Sequence, residues 1–239
     1  MKKVSRRLLA ALLALMLLLA LVPLVRAEGT EGFHAPYLCG YPDGTIRPDE
    51  PLTREALAQA LYRMMDADYL RQLGPCAGLF PDVPPSRWSY AAVSTLAQPG
   101  LMPVDADGSF YPERGVTGQM LALTLARIAD TEAGRAALGP LAEGWKAQEI
   151  TFEAGNGWVM GLQDGVLAPD EPLSRGQFAQ IMNRLLGRAP GSADDLMVGM
   201  PLFSDNLDTK SRYFLDLQEA AAGHSFRVTD GREVWTGLG

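Results

Sequence analysis

The sequence predicts a mainly helical, all-α repeat protein with short extended turns, and two self-overlays carry that expectation. Residues 88–118 lie over residues 145–175 without a gap. Trp88 meets Trp145, Val93 meets Ile150, Gly100 meets Gly157, Asp107-Gly108 meets Asp164-Gly165, Pro112 meets Pro169 and Thr117 meets Ser174. An earlier copy places Asp43-Gly44, Pro48, Thr53, Leu57, Leu61 and Arg63 on Asp107-Gly108, Pro112, Thr117, Leu121, Leu125 and Arg127. A unit that recurs in this way cannot bury its apolar face alone, so function is expected in grooves between units.

Within each unit the order is helix, turn, short extended stretch, second helix. The second helices are the clearest. From Thr53 to Met65 the apolar residues Leu57, Leu61, Met64 and Met65 recur at helical spacing behind a Thr53 cap. Leu52 with Leu57, Val116 with Leu121 and Leu173 with Phe178 have the spacing of hydrophobic staples, and Ser174 with Gln177 that of a capping box. Upstream of each cap stand an Asp-Gly turn and a proline, which together disfavour a long strand. Asp105-x-Asp107-Gly108 has the opening of a calcium loop without its later ligands, and is read as a turn.

First helices are expected over 86–97 and 143–154. The N-terminal unit has none, but Arg212 to Ala221 fits the pattern, with Phe214 on Tyr90, Leu217 on Val93 and Ala221 on Ala97. The expectation is a circular closure around a pseudo-threefold axis. Unit one then covers about 38–66 and is completed by 203–223; unit two covers about 80–130 and unit three about 141–187. Thr131 to Pro140 and Gly187 to Pro201 read as exposed linkers. The tail, 224–239, reads either as a poorly ordered end or as a strap.

Residues 1–27 have a basic start, an uncharged run from Leu8 to Val25, and small residues at Val25 and Ala27, the pattern of a cleaved secretory signal. An uncleaved membrane anchor is the alternative. This segment holds five of the 21 Lys and Arg and none of the 28 Asp and Glu, so the remainder carries 16 minus 28, or −12. That balance argues against nucleic acid as a partner. Cys39 and Cys76 permit one disulfide in an oxidising compartment or remain two thiols, and are too few for an all-cysteine metal site. His34 and His224 are the only histidines, neither belongs to a repeat, and no nucleophile–base set or metal-ligand set is read around them. No cofactor is expected, and no enzyme activity.

The strings Gly40-Tyr-Pro-Asp-Gly-Thr-Ile-Arg-Pro-Asp-Glu-Pro-Leu-Thr-Arg-Glu55 and Phe80-Pro-Asp-Val-Pro-Pro-Ser-Arg-Trp-Ser-Tyr90 closely resemble the S-layer homology family, supported by Trp145 and Asp170-Glu-Pro-Leu-Ser-Arg175. The resemblance covers about residues 38–223. It implies a three-pronged helical domain that holds exported bacterial proteins noncovalently on secondary cell-wall polysaccharide, often pyruvylated, at the cell wall or surface.

Arg54 and Arg175 follow the caps Thr53 and Ser174, where a helix dipole ordinarily favours acidic residues. An anionic ligand such as a pyruvate ketal carboxylate would account for them. The alternative is an ion pair with Asp49, Glu50, Asp170 or Glu171. Thr53, Arg54, Ser174 and Arg175 are therefore the candidate polymer-binding residues. Gly118 replaces the arginine in unit two, whose groove is expected to bind weakly. Trp88 and Trp145 are either sugar-stacking platforms or core wedges between units, and the core is the favoured reading. Arg63, Arg127 and Arg184 recur near the ends of the second helices, where a cation complements the dipole. Three functions follow: a wall-binding envelope or surface-layer protein; a degenerate domain that docks other envelope proteins through Leu196 to Leu202 and the tail; or a membrane-retained wall tether.

Overall fold

The computed structural model describes residues 28–72, 80–139, 171–188 and 190–239. The signal segment, Cys76, Trp145, Asp170 and the expected helix 143–154 lie outside these residues.

Seven described helices dominate. The second helices of the units are α1 (Arg54–Arg63), α4 (Gly118–Asp130) and α6 (Arg175–Leu186). Each starts where the sequence places its cap. The Thr53, Thr117 and Ser174 side chains accept from the backbone N–H of Ala56, Met120 and Gln177, and Ser174–Gln177 closes a capping box. First helices are α3 (Tyr90–Ala97), packed on α1, and α7 (Phe214–Ala221), packed on α6. Residues 86–89 form turns, so α3 starts later than expected.

The three extended stretches before the caps meet one another. Leu52 N–H donates to the Leu173 carbonyl, Leu173 N–H to the Val116 carbonyl, and Val116 N–H to the Leu52 carbonyl, each at 2.8 Å. These staple residues close a cyclic ring of hydrogen bonds, and all three side chains are fully buried with Leu57, Leu121 and Phe178 in one core. A proline-rich segment too short for a sheet thus satisfies its backbone by pairing with its two copies.

The Asp-Gly turns are held locally. Gly44 and Gly108 take φ of 79° and 81°, and the Asp43 and Asp107 carboxylates accept from the backbone N–H of Thr45 and Ser109. Three residues beyond the glycines, Arg47 and Tyr111 are left-handed, at 57° and 54°. Each is gripped by an aspartate. Asp82 accepts from Phe110 N–H at 3.0 Å and Tyr111 N–H at 2.6 Å; Asp205 accepts from Ile46 N–H at 2.8 Å and Arg47 N–H at 2.7 Å. For the second turn the aspartate comes from just upstream. For the first it comes from the C-terminal segment.

Several expectations are corrected. Thr131 to Pro140 contains α5 (Glu132–Leu138), capped by Thr131, with Ala137 and Leu138 buried, and α2 (Ala67–Gln72) lies near it. The described part of Gly187 to Pro201 stays exposed or half-exposed apart from Asp195, with one 3-10 turn at Ala193–Asp195 closed by a Ser192–Asp195 capping box. The fold is mainly helical but not all-α, because β1 (Glu31–His34), β2 (His224–Thr229) and β3 (Arg232–Leu238) form an antiparallel sheet in that order. The tail is therefore a hairpin, turned by Asp230-Gly231 with φ of 52° and 72°, rather than a frayed end or strap.

Candidate functional site

Arg54 and Arg175 occupy equivalent positions and are 3% and 4% exposed. The backbone N–H groups beside them are already used. Arg54 and Glu55 donate to the Arg114 and Pro112 carbonyls, and Arg175 and Gly176 to the Glu50 and Pro48 carbonyls. With Thr53 and Ser174 also engaged as caps, an anion here would meet the guanidinium rather than free helix N–H groups, which corrects the dipole argument made from sequence.

The two guanidinium groups differ in what neutralises them. Arg54 Nη1 donates to Asp105 Oδ2 at 2.8 Å and Nη2 to the Pro103 carbonyl, while its buried Nε makes no hydrogen bond. Its Cζ lies 4.7 Å from the centre of the Phe110 ring. Asp105 also takes Arg114 Nη1 at 2.8 Å, and Arg114 then Arg54 hold its carboxyl below the usual carboxylate range. The partner is thus an aspartate of the neighbouring unit's turn, not one of the four acids expected from sequence.

Arg175 donates from Nε to the Ile46 carbonyl and from Nη2 to the Cys39 carbonyl, both at 2.7 Å. Among the described residues no carboxylate lies within 4.0 Å of it. Burial lowers its pKa. Position 41 corresponds to Asp105 in the repeat and is tyrosine. The Tyr41 ring has Arg175 Cζ at 5.0 Å and Arg47 Cζ at 3.8 Å, with Arg47 also paired to Asp43 and Glu50. The groove thus presents two cations and an aromatic ring; among the described residues its acids pair with Arg47, and Glu50 reaches Arg175 only as a longer-range charge.

Behind the arginines the units diverge again. Glu55 receives a bidentate pair from Arg87, at 2.7 and 2.8 Å, and the Ser89 hydroxyl at 2.5 Å. In unit three the glutamate is replaced by Gly176, and Tyr213 stands where Ser89 does. A Cβ on Gly176 would lie 2.4 Å from the Tyr213 ring. The glycine is there because the tyrosine fills the space.

Trp88 is 62% exposed, which removes the core reading for it; Trp145 lies outside the described residues. Gly118 is buried at the start of α4, with no arginine beside the Thr117 cap. Cys39 is exposed. Arg127 Nη1 donates to the Gly100 carbonyl, beyond the end of α3 rather than at the end of its own helix. His34 and His224, set aside in the sequence, converge on Glu219. The alternation His224, Phe226, Val228 around Asp230-Gly231 was the legible sign of the strand that brings one of them there.

The S-layer homology domain model matches residues 37–58, 79–119 and 144–179, which contain all three cap segments. These three segments are S-layer homology repeats. Two curated relatives come from Acetivibrio thermocellus. One, Cell surface glycoprotein 1, is 25% identical over 222 residues, 87% of this chain and 9% of that protein. The other, Cellulosome-anchoring protein, is 25% identical over 215 residues, 87% of this chain and 47% of that protein. The chain therefore spans less than half of either relative. No solved structure matches it. Among the described residues no helix is long and apolar enough to cross a membrane.

Proposed function

We propose that this S-layer homology chain attaches noncovalently to an anionic secondary cell-wall polymer at the bacterial surface, chiefly through the groove headed by Arg175. The carrying observation is a guanidinium that is 4% exposed, tied to two carbonyls, and without a carboxylate within 4.0 Å among the described residues. A buried cation so placed gains a charge-assisted hydrogen bond of about 1.5–3 kcal/mol when an anion arrives. A pyruvate ketal carboxylate has the charge and size for it. Tyr41 and Arg47 offer the polymer a stacking face and a second cation. At the equivalent groove Asp105 already holds the position a ligand carboxylate would take, so Arg54 contributes little. The names of the two relatives, an anchoring protein and a surface glycoprotein, agree with an anchoring, non-enzymatic role.

The cyclic ring through Leu52, Val116 and Leu173 and the Asp205 grip on residues 46 and 47 support three units about one axis, unit one being completed by 203–223. The reading is tested by sedimenting purified chain with cell-wall sacculi before and after chemical removal of the secondary polymer. Polymer-dependent sedimentation supports it; folded protein that stays in the supernatant refutes it. The second reading, a docking surface for another envelope protein, draws on Val198 at 97%, Leu202 at 60% and Leu207 at 58% exposure.

A further inference from the structure

The sheet brings together the only two histidines of the chain. His34 ends β1, His224 begins β2, and between them Glu219 rises from the last turns of α7. All three are buried, at 4%, 0% and 0% exposure. His34 Nδ1 lies 2.7 Å from Glu219 Oε1 and His224 Nε2 lies 3.2 Å from Glu219 Oε2, with all three donor groups within 4.8 Å of one another. The Trp235 indole N–H donates to Oε2 at 3.2 Å, and its ring stacks on His224 at 3.8 Å. Glu233 Oε2 stands 3.8 Å from His34 Nδ1.

One atom in this cluster is unexplained. His224 Nδ1 is 2.9 Å from the Ala222 carbonyl, which can only accept, so Nδ1 carries a hydrogen. In the neutral ring Nε2 is then a bare lone pair. It is buried, makes no hydrogen bond, and faces a carboxylate oxygen. Two lone pairs opposed in a dry site repel, so a cation belongs between them. A proton on Nε2 would reach Oε2 at 3.2 Å only through a poorly aligned hydrogen bond.

We propose that His34 Nδ1, His224 Nε2 and the Glu219 carboxylate bind one divalent cation of the zinc type. Two imidazoles and a carboxylate favour zinc over calcium or magnesium, which prefer all-oxygen sets. Bonds of about 2.0–2.1 Å in a tetrahedron put neighbouring donors roughly 3.3 Å apart; the His224–Glu219 separation of 3.2 Å already fits, and the His34–Glu219 separation of 2.7 Å would open on binding. Burial pushes the His34 pKa down to about 4, leaving that ring neutral and able to ligate near neutral pH. On binding, the His34 hydrogen moves from Nδ1 to Nε2 and no net proton is lost from neutral rings. The Ala222 carbonyl on His224 Nδ1 and the Trp235 N–H on Glu219 are the outer-shell contacts that orient such ligands. The ion clasps β1, β2 and α7, and none of its ligands belongs to the arginine grooves. Its failure therefore leaves the wall-binding reading untouched, and the reverse also holds.

The test uses purified protein stripped with a chelator, then titrated with Zn2+, Co2+, Ca2+ and Mg2+. The expected result is one zinc per chain by elemental analysis and a melting midpoint raised by roughly 5–10 °C at a hundredfold excess over Kd. Calcium and magnesium should give no shift, and cobalt should give the intense visible bands of a tetrahedral site. A Cys39→Ser, Cys76→Ser double variant should keep all of these, which separates the site from adventitious thiol binding. His34→Gln should melt near the stripped protein and lose the zinc shift. Folded wild-type protein that takes up no zinc, shows no cobalt bands and does not shift overturns the proposal and leaves a hydrogen-bonded knot. Because that readout is made on the wild type, a His34→Gln chain that failed to fold would not shield the proposal.

Discussion

The grooves at Arg54 and Arg175 are built by the same repeat and filled oppositely. In both, the guanidinium reaches the neighbouring turn and donates to the same position of it, the Pro103 carbonyl in one and the Cys39 carbonyl in the other. At the next repeat position but one, Asp105 sets a carboxylate against Arg54, whereas Tyr41 sets an aromatic ring against Arg175. The lesson is that conserving an arginine through a repeat does not conserve its charge for a ligand. What decides is the residue that the adjacent unit sets against it. The turns differ as well. The first groove's turn is held by Asp82 from its own unit, the second's by Asp205 from the far end of the chain.

The largest effect that separates the grooves should come from that end. Deleting residues from Leu202 onward removes Asp205, α7 and the hairpin, and is expected to lower the melting transition of the whole domain and abolish polymer retention. An unchanged transition would mean the two halves do not depend on each other.

Next in size is the transplant Tyr41→Asp, which sets a carboxylate against Arg175 as Asp105 stands against Arg54. Retention on polymer should weaken about tenfold while the fold persists, the equivalent of about 1.4 kcal/mol. Equal binding by wild type and variant, measured by calorimetry with purified polymer, would break the comparison. The converse change, Asp105→Asn, should free Arg54 and raise retention several-fold by adding a second contact on a repetitive polymer. It should also cost about 1–3 kcal/mol in urea unfolding, because it leaves a buried cation without its counter-ion.

The smallest effect is in pH. Arg114 and Arg54 depress the Asp105 pKa below its ordinary 3.8. Its stabilisation is therefore complete above about pH 3.8 and is lost as pH falls through the lowered folded value. The stability gap between wild type and Asp105→Asn should therefore narrow as pH falls below about 3.8. A gap that widens on acidification would show that Asp105 is not held by the two arginines.

Much of this arrangement was legible because it is local. Caps at Thr53, Thr117 and Ser174, the staple residues, and the Asp-Gly turns are written within a few residues of where they act. The choice between an internal pair and a ligand at each arginine was not legible, since Asp105 reaches Arg54 only through the packing of one unit on the next. The nearby acids Asp49, Glu50 and Glu171 had the right charge but form no ion pair with the arginines that start the helices, Glu50 reaching Arg175 only as a longer-range charge. The exchange of Glu55 and Ser89 for Gly176 and Tyr213 is invisible for the same reason. The sheet was missed for a different one: β2 and β3 alternate around an Asp-Gly hairpin turn, but the tail lies outside the repeat and β1 lies at the opposite end of the described chain. Trp88 shows that a residue fixed in the repeat need not be core, since its neighbour Arg87 makes the contact between units through Glu55.

We propose that the Arg175 groove, rather than the Arg54 groove, carries the attachment. The most direct test is to sediment Arg54→Ala and Arg175→Ala, each checked for folding, with wall sacculi that retain their secondary polymer. Arg54→Ala is expected to sediment within about threefold of wild type and Arg175→Ala to lose about tenfold or more, in line with one charge-assisted contact. Equal loss in the two variants, or a greater loss for Arg54→Ala, would contradict it.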